Sequence, residues 1–147
     1  MSKTIKMLVK EPNKEPYIKE VEDKLENLQE IVGGLIDCVP FPLGHKIDMY
    51  VNDEGKIDNL TGNFWLPEYK DFVAGTCYFV SIDYDTGENT DITDKQVELC
   101  KKYVDLYEIP ECANVYTDYA ILKECMEQRY KFFNKKVAEL WELKERA

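Results

Sequence analysis

The one histidine of the chain, His45, stands in the loop PFPLGH, where an imidazole could serve as a general base. No serine or cysteine near it belongs to a nucleophile motif, so a solvated loop histidine accounts for it and no catalytic residue is assigned. Carboxylates are denser: Asp83, Asp85, Glu88, Asp91 and Asp94 follow one another closely. Hard cations seek such clusters, but a calcium loop opening at Asp83 needs its glycine at position 88, and the glycine is Gly87. A hairpin turn running into a helix cap explains every acid, and no metal site is expected. The five cysteines, Cys38, Cys77, Cys100, Cys112 and Cys125, are widely spaced and form no CxxC pair. Zinc therefore has no ligand set. An odd count among apolar neighbours reads as buried thiols in a reducing compartment. Gly33 and Gly34 come after a helix, whereas a phosphate-cradling loop comes before one. A helix C-terminus also presents the negative end of its dipole. The pair reads as a helix stop, and no cofactor is implied.

Binding is the chemistry that remains. A net charge of −10 over 147 residues disfavours direct contact with nucleic acid or an anionic membrane. Residues 61–108 carry four Lys against ten acids, while residues 109–147 are balanced. The candidate binding residues are Glu11 and Tyr17 around the first turn, Asn52 at a later one, and Asn63 and Trp65 in the aromatic stretch. The acids Asp83, Asp85, Glu88 and Asp91 complete the set. Tyr50, Phe64, Trp65, Tyr69, Phe72, Tyr78 and Phe79 read mostly as core, with a fraction lining a groove where a planar ligand could stack. An apolar share of 44% excludes a disordered chain. No apolar run reaches the roughly eighteen residues of a membrane span, and the N-terminus has no signal-peptide core, so a cytoplasmic protein is expected.

Those residues need a scaffold, and hydrophobic periodicity supplies it. Thr4–Lys10 alternates Ile5, Met7 and Val9 against Leu8, and after the Pro-bounded turn EPNKEP the run Tyr17–Val21 returns as its hairpin partner. Asp23 with Glu26 predicts a capping box for a short helix bearing Leu25, Leu28, Ile31 and Val32 on one stripe. Gly33 ends it, and Leu35–Val39 follows as a buried strand. Lys46–Val51 is a further strand, NDEG predicts a hairpin turn, and Lys56–Leu60 is its return. Asn63–Phe72 reads as irregular or a single helical turn. Gly75–Tyr84 has the composition of a central strand, and DTGE of a second hairpin turn. Thr93 with Gln96 caps a helix over 94–108, closed by Pro110. Last, 118–146 reads as one long helix with Leu122, Met126, Arg129, Phe133, Val137 and Leu140 at near-heptad spacing. At about 1.5 Å per residue it would span roughly 40 Å, more than a compact domain needs. Leu122, Met126, Phe133, Val137, Leu140 and Trp141 are therefore the expected interface of a homo-oligomer. The fold class is α+β: a mixed or antiparallel sheet of about five strands, a short helix packed on it, and two C-terminal helices. Residues 1–108 form the expected α+β domain and 109–147 a helical extension for packing or oligomerisation.

The ordered motifs MLVKEPNKEPYIKEV, LENLQEIVGGLIDCV, YVNDEGKIDNL and VAGTCYFVSID resemble an uncharacterised domain-of-unknown-function family found in small proteins of phages, plasmids and other mobile elements. The resemblance covers roughly residues 5 to 108. This sequence has NFWLPE where the family leads one to expect a more basic segment. The resemblance implies origin more than activity: a small accessory protein of such elements, of a kind that is commonly host-directed. With the absence of a catalytic set and the heptad-like last helix, the expectation is a protein that counters host bacterial defence by binding and not by catalysis. Within that expectation the acidic surface favours an inhibitor of a host immune protein, its carboxylates standing in for nucleic-acid phosphates toward a basic groove. The alternative is an oligomeric sponge for a nucleotide-derived immune signal, which needs basic groups that residues 61–108 supply sparsely. An enzyme acting on a small molecule ranks below both.

Overall fold

The computed structural model describes residues 3–132. Along the chain run β1 (Thr4–Lys10), β2 (Tyr17–Glu22), α1 (Leu25–Val32), β3 (Ile36–Pro40), β4 (Ile47–Asn52), β5 (Gly62–Leu66) and β6 (Asp71–Ala74). Then come β7 (Cys77–Ile82), β8 (Asn89–Thr90), α2 (Asp94–Tyr107) and α3 (Tyr119–Phe132). A six-stranded antiparallel sheet has the order β2-β1-β7-β4-β3, with β8 beside β7, and β5 and β6 form a separate two-stranded ribbon. The fold is α+β.

Strand alternation divides the core in two. Ile5, Met7, Val9, Tyr78 and Val80 line one face, where Leu28, Ile31 and Val32 of α1 cover them. Leu8, Met49, Phe79 and Cys77 line the other and pack against the ribbon and α2. Phe41, Phe64, Phe79 and Tyr103 meet there edge-to-face or stacked at centroid distances of 5.1–6.5 Å. Ile109, Val115 and Met126 join this same second core. The helix ends are set locally. Gly33 adopts φ 79°, and its N–H donates to the Gln29 carbonyl at 2.8 Å. Thr93 and Gln96 form the expected capping box.

Several expectations are corrected. Asp23 does not cap α1: its N–H donates to the Lys3 carbonyl at 2.7 Å, which extends the β1–β2 ladder, and Lys24 takes the cap position without a side-chain bond. Leu25 is exposed, so the buried stripe begins at Leu28. β3 is an edge strand, half exposed, instead of a buried one. The return strand Lys56–Leu60 does not form. β4 is already paired on both sides by β3 and β7, so no ladder edge is open to it. The chain coils instead, Asp58 N–H donating to the Glu54 carbonyl and Leu60 N–H to that of Gly55, both at 2.9 Å. Within Asn63–Phe72 there are two strand segments around a one-turn 3-10 helix, Pro67–Tyr69. Only Cys77 and Cys100 are buried thiols; Cys38, Cys112 and Cys125 are exposed. In α3, Met126 is buried and Leu122 half-buried against the chain's own core. Phe133, Val137, Leu140 and Trp141 lie outside the described residues.

Candidate functional site

α1 covers only part of its face of the sheet, and beside it β1 and β2 are left open. The result is a cleft of about 540 Å³ whose floor is Val9, Val21 and Ile31. The first hairpin places Glu11 and Tyr17 at one end, because β1 ends at Lys10 and β2 begins opposite Val9 at Tyr17. These are two of the expected binding residues, and they meet: the Tyr17 phenol is hydrogen-bonded to the Glu11 carboxylate. Burial and that carboxylate raise the phenol above its ordinary range. Glu22 closes β2, and Asn27 and Glu30 project from α1 on the opposite wall. Among the described residues Lys19 is the one cation lining the cleft, against the carboxylates of Glu11, Glu22 and Glu30. Two of the acids carry salt bridges outward, Glu11 to Lys14 at 3.6 Å and Glu22 to Lys24 at 3.0 Å. An apolar floor under carboxylate walls suits a group with a hydrocarbon stem and a cationic head, such as a lysine or arginine side chain.

The remaining predicted residues go elsewhere. Asn63 and Trp65 are buried at 0% and 4% exposure, so neither can meet a ligand. Asn63 donates from Nδ2 to the carbonyls of Lys10 at 2.8 Å and Gly75 at 2.9 Å, tying β5 to β1 and to the turn before β7. Trp65 packs on Phe72 and Tyr119. Asn52 is buried too: it donates to the Val32 carbonyl at 3.1 Å and accepts from Glu54 N–H at 2.8 Å, pinning the end of α1 to β4. The acids of the β7–β8 turn sit at the far end of β7 from Glu11 and Tyr17. Asp83 accepts from Asp85 N–H at 2.9 Å, and Asp91 accepts from Lys6 N–H at 2.8 Å. Asp85 and Glu88 are exposed.

Three polar groupings escaped the sequence reading. Cys38 lies across the ladder from Tyr50, hydrogen-bonded to it and to Asp48; burial and Asp48 push the thiol up, away from a nucleophilic thiolate. Tyr103 donates to Glu68 Oε2 at 2.5 Å, closing the 3-10 turn onto α2. Lys10, 1% exposed, donates to Glu108 at 2.8 Å and to the Glu11 carbonyl at 2.7 Å. Lys10 also borders a separate concavity with Lys14, Lys101 and Lys102, where Glu15, Asp105 and Glu108 offset their charge. Among the described residues, no group of three or more His, Cys, Asp or Glu side chains is placed to hold a metal ion.

The family model for a domain of unknown function, DUF3846, matches residues 5–108. The chain belongs to the DUF3846 family. The carboxylate cleft lies wholly within the DUF3846 match, whereas α3 lies beyond it. Searches of curated proteins and of solved structures returned no match to this DUF3846 chain. No helix among the described residues is long and apolar enough to cross a membrane.

Proposed function

We propose that this DUF3846 protein acts by binding: it is an acidic inhibitor that occupies a basic surface of a host defence protein, in the mobile-element setting that the sequence motifs imply. One observation carries the reading. Glu11, Glu22 and Glu30 frame a single cleft over an apolar floor, and among the described residues Lys19 is the one cation that lines it. A lysine or arginine of the partner enters that cleft, and the wider excess of acid steers the encounter. The nucleotide-sponge alternative is disfavoured by the same walls. It would have to use the lysine-bordered concavity, where Lys10 and Lys102 are already bonded to Glu108 and Glu98.

The test is capture from a bacterial lysate at low salt with the wild-type protein and with the triple variant Glu11→Lys, Glu22→Lys, Glu30→Lys. The expected outcome is a basic protein retained by the wild type, released at high salt and absent from the triple variant. A partner held equally by both proteins, or none held by either, overturns the reading. Incubation with nucleotide signals followed by heating gives the sponge its own readout, recovery of intact nucleotide.

A further inference from the structure

We infer that the exposed edge of β3 is a second docking surface, which takes an extended, basic segment of a partner protein as an added strand. The inference is independent of the cleft beside α1 and rests on ladder geometry. Among the described residues β3 ends the sheet, paired only to β4. Asp53 N–H donates to the Leu35 carbonyl at 2.8 Å, and Phe41 N–H to that of Ile47 at 3.1 Å. In an antiparallel pair the bonded positions alternate, so Leu35, Asp37, Val39 and Phe41 turn their backbone groups inward to β4. Ile36 and Cys38 turn theirs outward. No other hydrogen bond to a described residue engages the backbone of either. Two N–H donors and two carbonyl acceptors thus stand ready for a fourth neighbour of the β7-β4-β3 series. The open edge stops at Pro40, which lacks a donor and whose carbonyl accepts the Tyr69 hydroxyl at 2.6 Å.

Side chains supply the selectivity. A groove of about 570 Å³ runs between β3 and β6, floored by Val39, Val51 and Phe72. Asp37 and Asp53 stand on its rim, while Lys56, the one cation there among the described residues, is already paired with Asp71. On a strand laid along β3, the residue beside Val39 meets the apolar floor and the residue two positions away meets Asp37. The ligand pattern is therefore an apolar residue and a Lys or Arg two apart. The same carboxylates exclude a second copy of this chain, because β3 against β3 would bring Asp37 toward Asp37 between molecules that each carry −10. A charge that keeps sheet edges from pairing with themselves is also one that admits a basic strand.

The experiment uses the full chain, isotope-labelled, with two synthetic heptapeptides: TVTKTVT, which satisfies the pattern in either direction, and its acidic counterpart TVTETVT. Backbone amide shifts and hydrogen exchange at Ile36 and Cys38 are the readout. TVTKTVT is expected to shift and protect both amides and TVTETVT to do neither. A TVTKTVT peptide N-methylated at every residue should lose the effect, since it has no donor with which to complete the ladder in either direction. Asp37→Lys should weaken TVTKTVT at least about tenfold and admit TVTETVT. Shifts centred on Tyr17 and Asn27 would assign the basic peptide to the other cleft and overturn the inference. Protection of Ile36 and Cys38 that rises with protein concentration in the absence of peptide would name a second copy as the occupant and overturn it as well. No change at either amide has the same consequence. The lysate capture is scored separately, by the loss of binding in the Glu11, Glu22 and Glu30 variant, and loss or gain of protection at Ile36 and Cys38 leaves that reading where it stands.

Discussion

At the scale of single residues, the polar groups inside this protein carry more of its structure than its surface acids do. Asn63 joins three strand segments through one amide: it sits on β5 and donates to Lys10 at the end of β1 and to Gly75 just before β7. Replacing it by alanine strands two buried carbonyls, each worth about 1–3 kcal/mol when left without a donor. Asn63→Ala is therefore expected to lower stability by about 3 kcal/mol, read as a shift of the urea midpoint at unchanged slope. Asn63→Asp should cost more, because it turns an acceptor toward two acceptors. A loss below about 1 kcal/mol for the alanine variant would mean that water replaces the amide, and the cross-link role would fall. The sequence gives no warning of this. Polarity in a sequence signals the surface, and so Asn63 reads as a binding residue, while nothing marks Lys10 as buried. Both are buried because strands distant in sequence deliver carbonyls and the Glu108 carboxylate to them. Glu11 and Tyr17 were legible for the opposite reason. Their meeting depends on one short hairpin, whose turn residues are all adjacent in the chain.

The elements repeat that distinction between local and distant causes. The Thr93–Gln96 box and the Gly33 stop need only a few neighbouring residues, and both are as the sequence reads them. The NDEG hairpin fails although its turn chemistry is sound, because a hairpin also needs a free edge on β4, and β3 and β7 take both. The chain folds back there by a close approach: a Cβ on Gly55 would lie 2.7 Å from the Ala74 carbonyl oxygen. Gly55→Ala must push the 53–60 loop away from β6. The expected cost is about 2 kcal/mol, a typical overpacking penalty, with faster exchange at the amides of Asp58 and Leu60. An alanine variant with unchanged exchange at those amides would show that the loop yields without strain. The edge position of β3 was equally hidden. Its run of Leu35 to Val39 has the composition of a buried strand, and only the order of the sheet exposes it.

For the whole molecule, the decisive property is how many ionisable groups are buried in their neutral form. Burial pushes the Cys77 thiol up to about 12, and Cys100, packed near it, well above its ordinary value. Tyr78, Tyr103 and Tyr107 are raised too, first by burial and then by neighbouring acidic groups; for Tyr103 and Tyr107 the foremost is Glu68. The sign follows from linkage. Each group keeps its proton in the fold at pH values where the unfolded chain has released it, so the stability it contributes is complete below its unfolded value and is lost as pH rises toward the folded one. Each thiol costs about 1.4 kcal/mol per pH unit across that window, and Tyr78 and Tyr107 less because solvent screens them in part. The window opens near pH 8.5 for the thiols and near pH 10 for the phenols. Two thiols alone erode about 4 kcal/mol by pH 10, and all five groups then act together on a domain whose total is of order 5–15 kcal/mol. The protein should accordingly hold its structure through pH 9 and unfold cooperatively in the two units above pH 10, a window shortened if any thiol becomes accessible first. Tyrosinate absorbance and far-ultraviolet circular dichroism, followed on one sample, should change together, with Cys77 and Cys100 becoming reactive to a thiol reagent in the same step. A gradual phenol titration near pH 10 with the dichroism intact to pH 12 would show that these groups reach solvent without unfolding, and that the second core is looser than its packing implies.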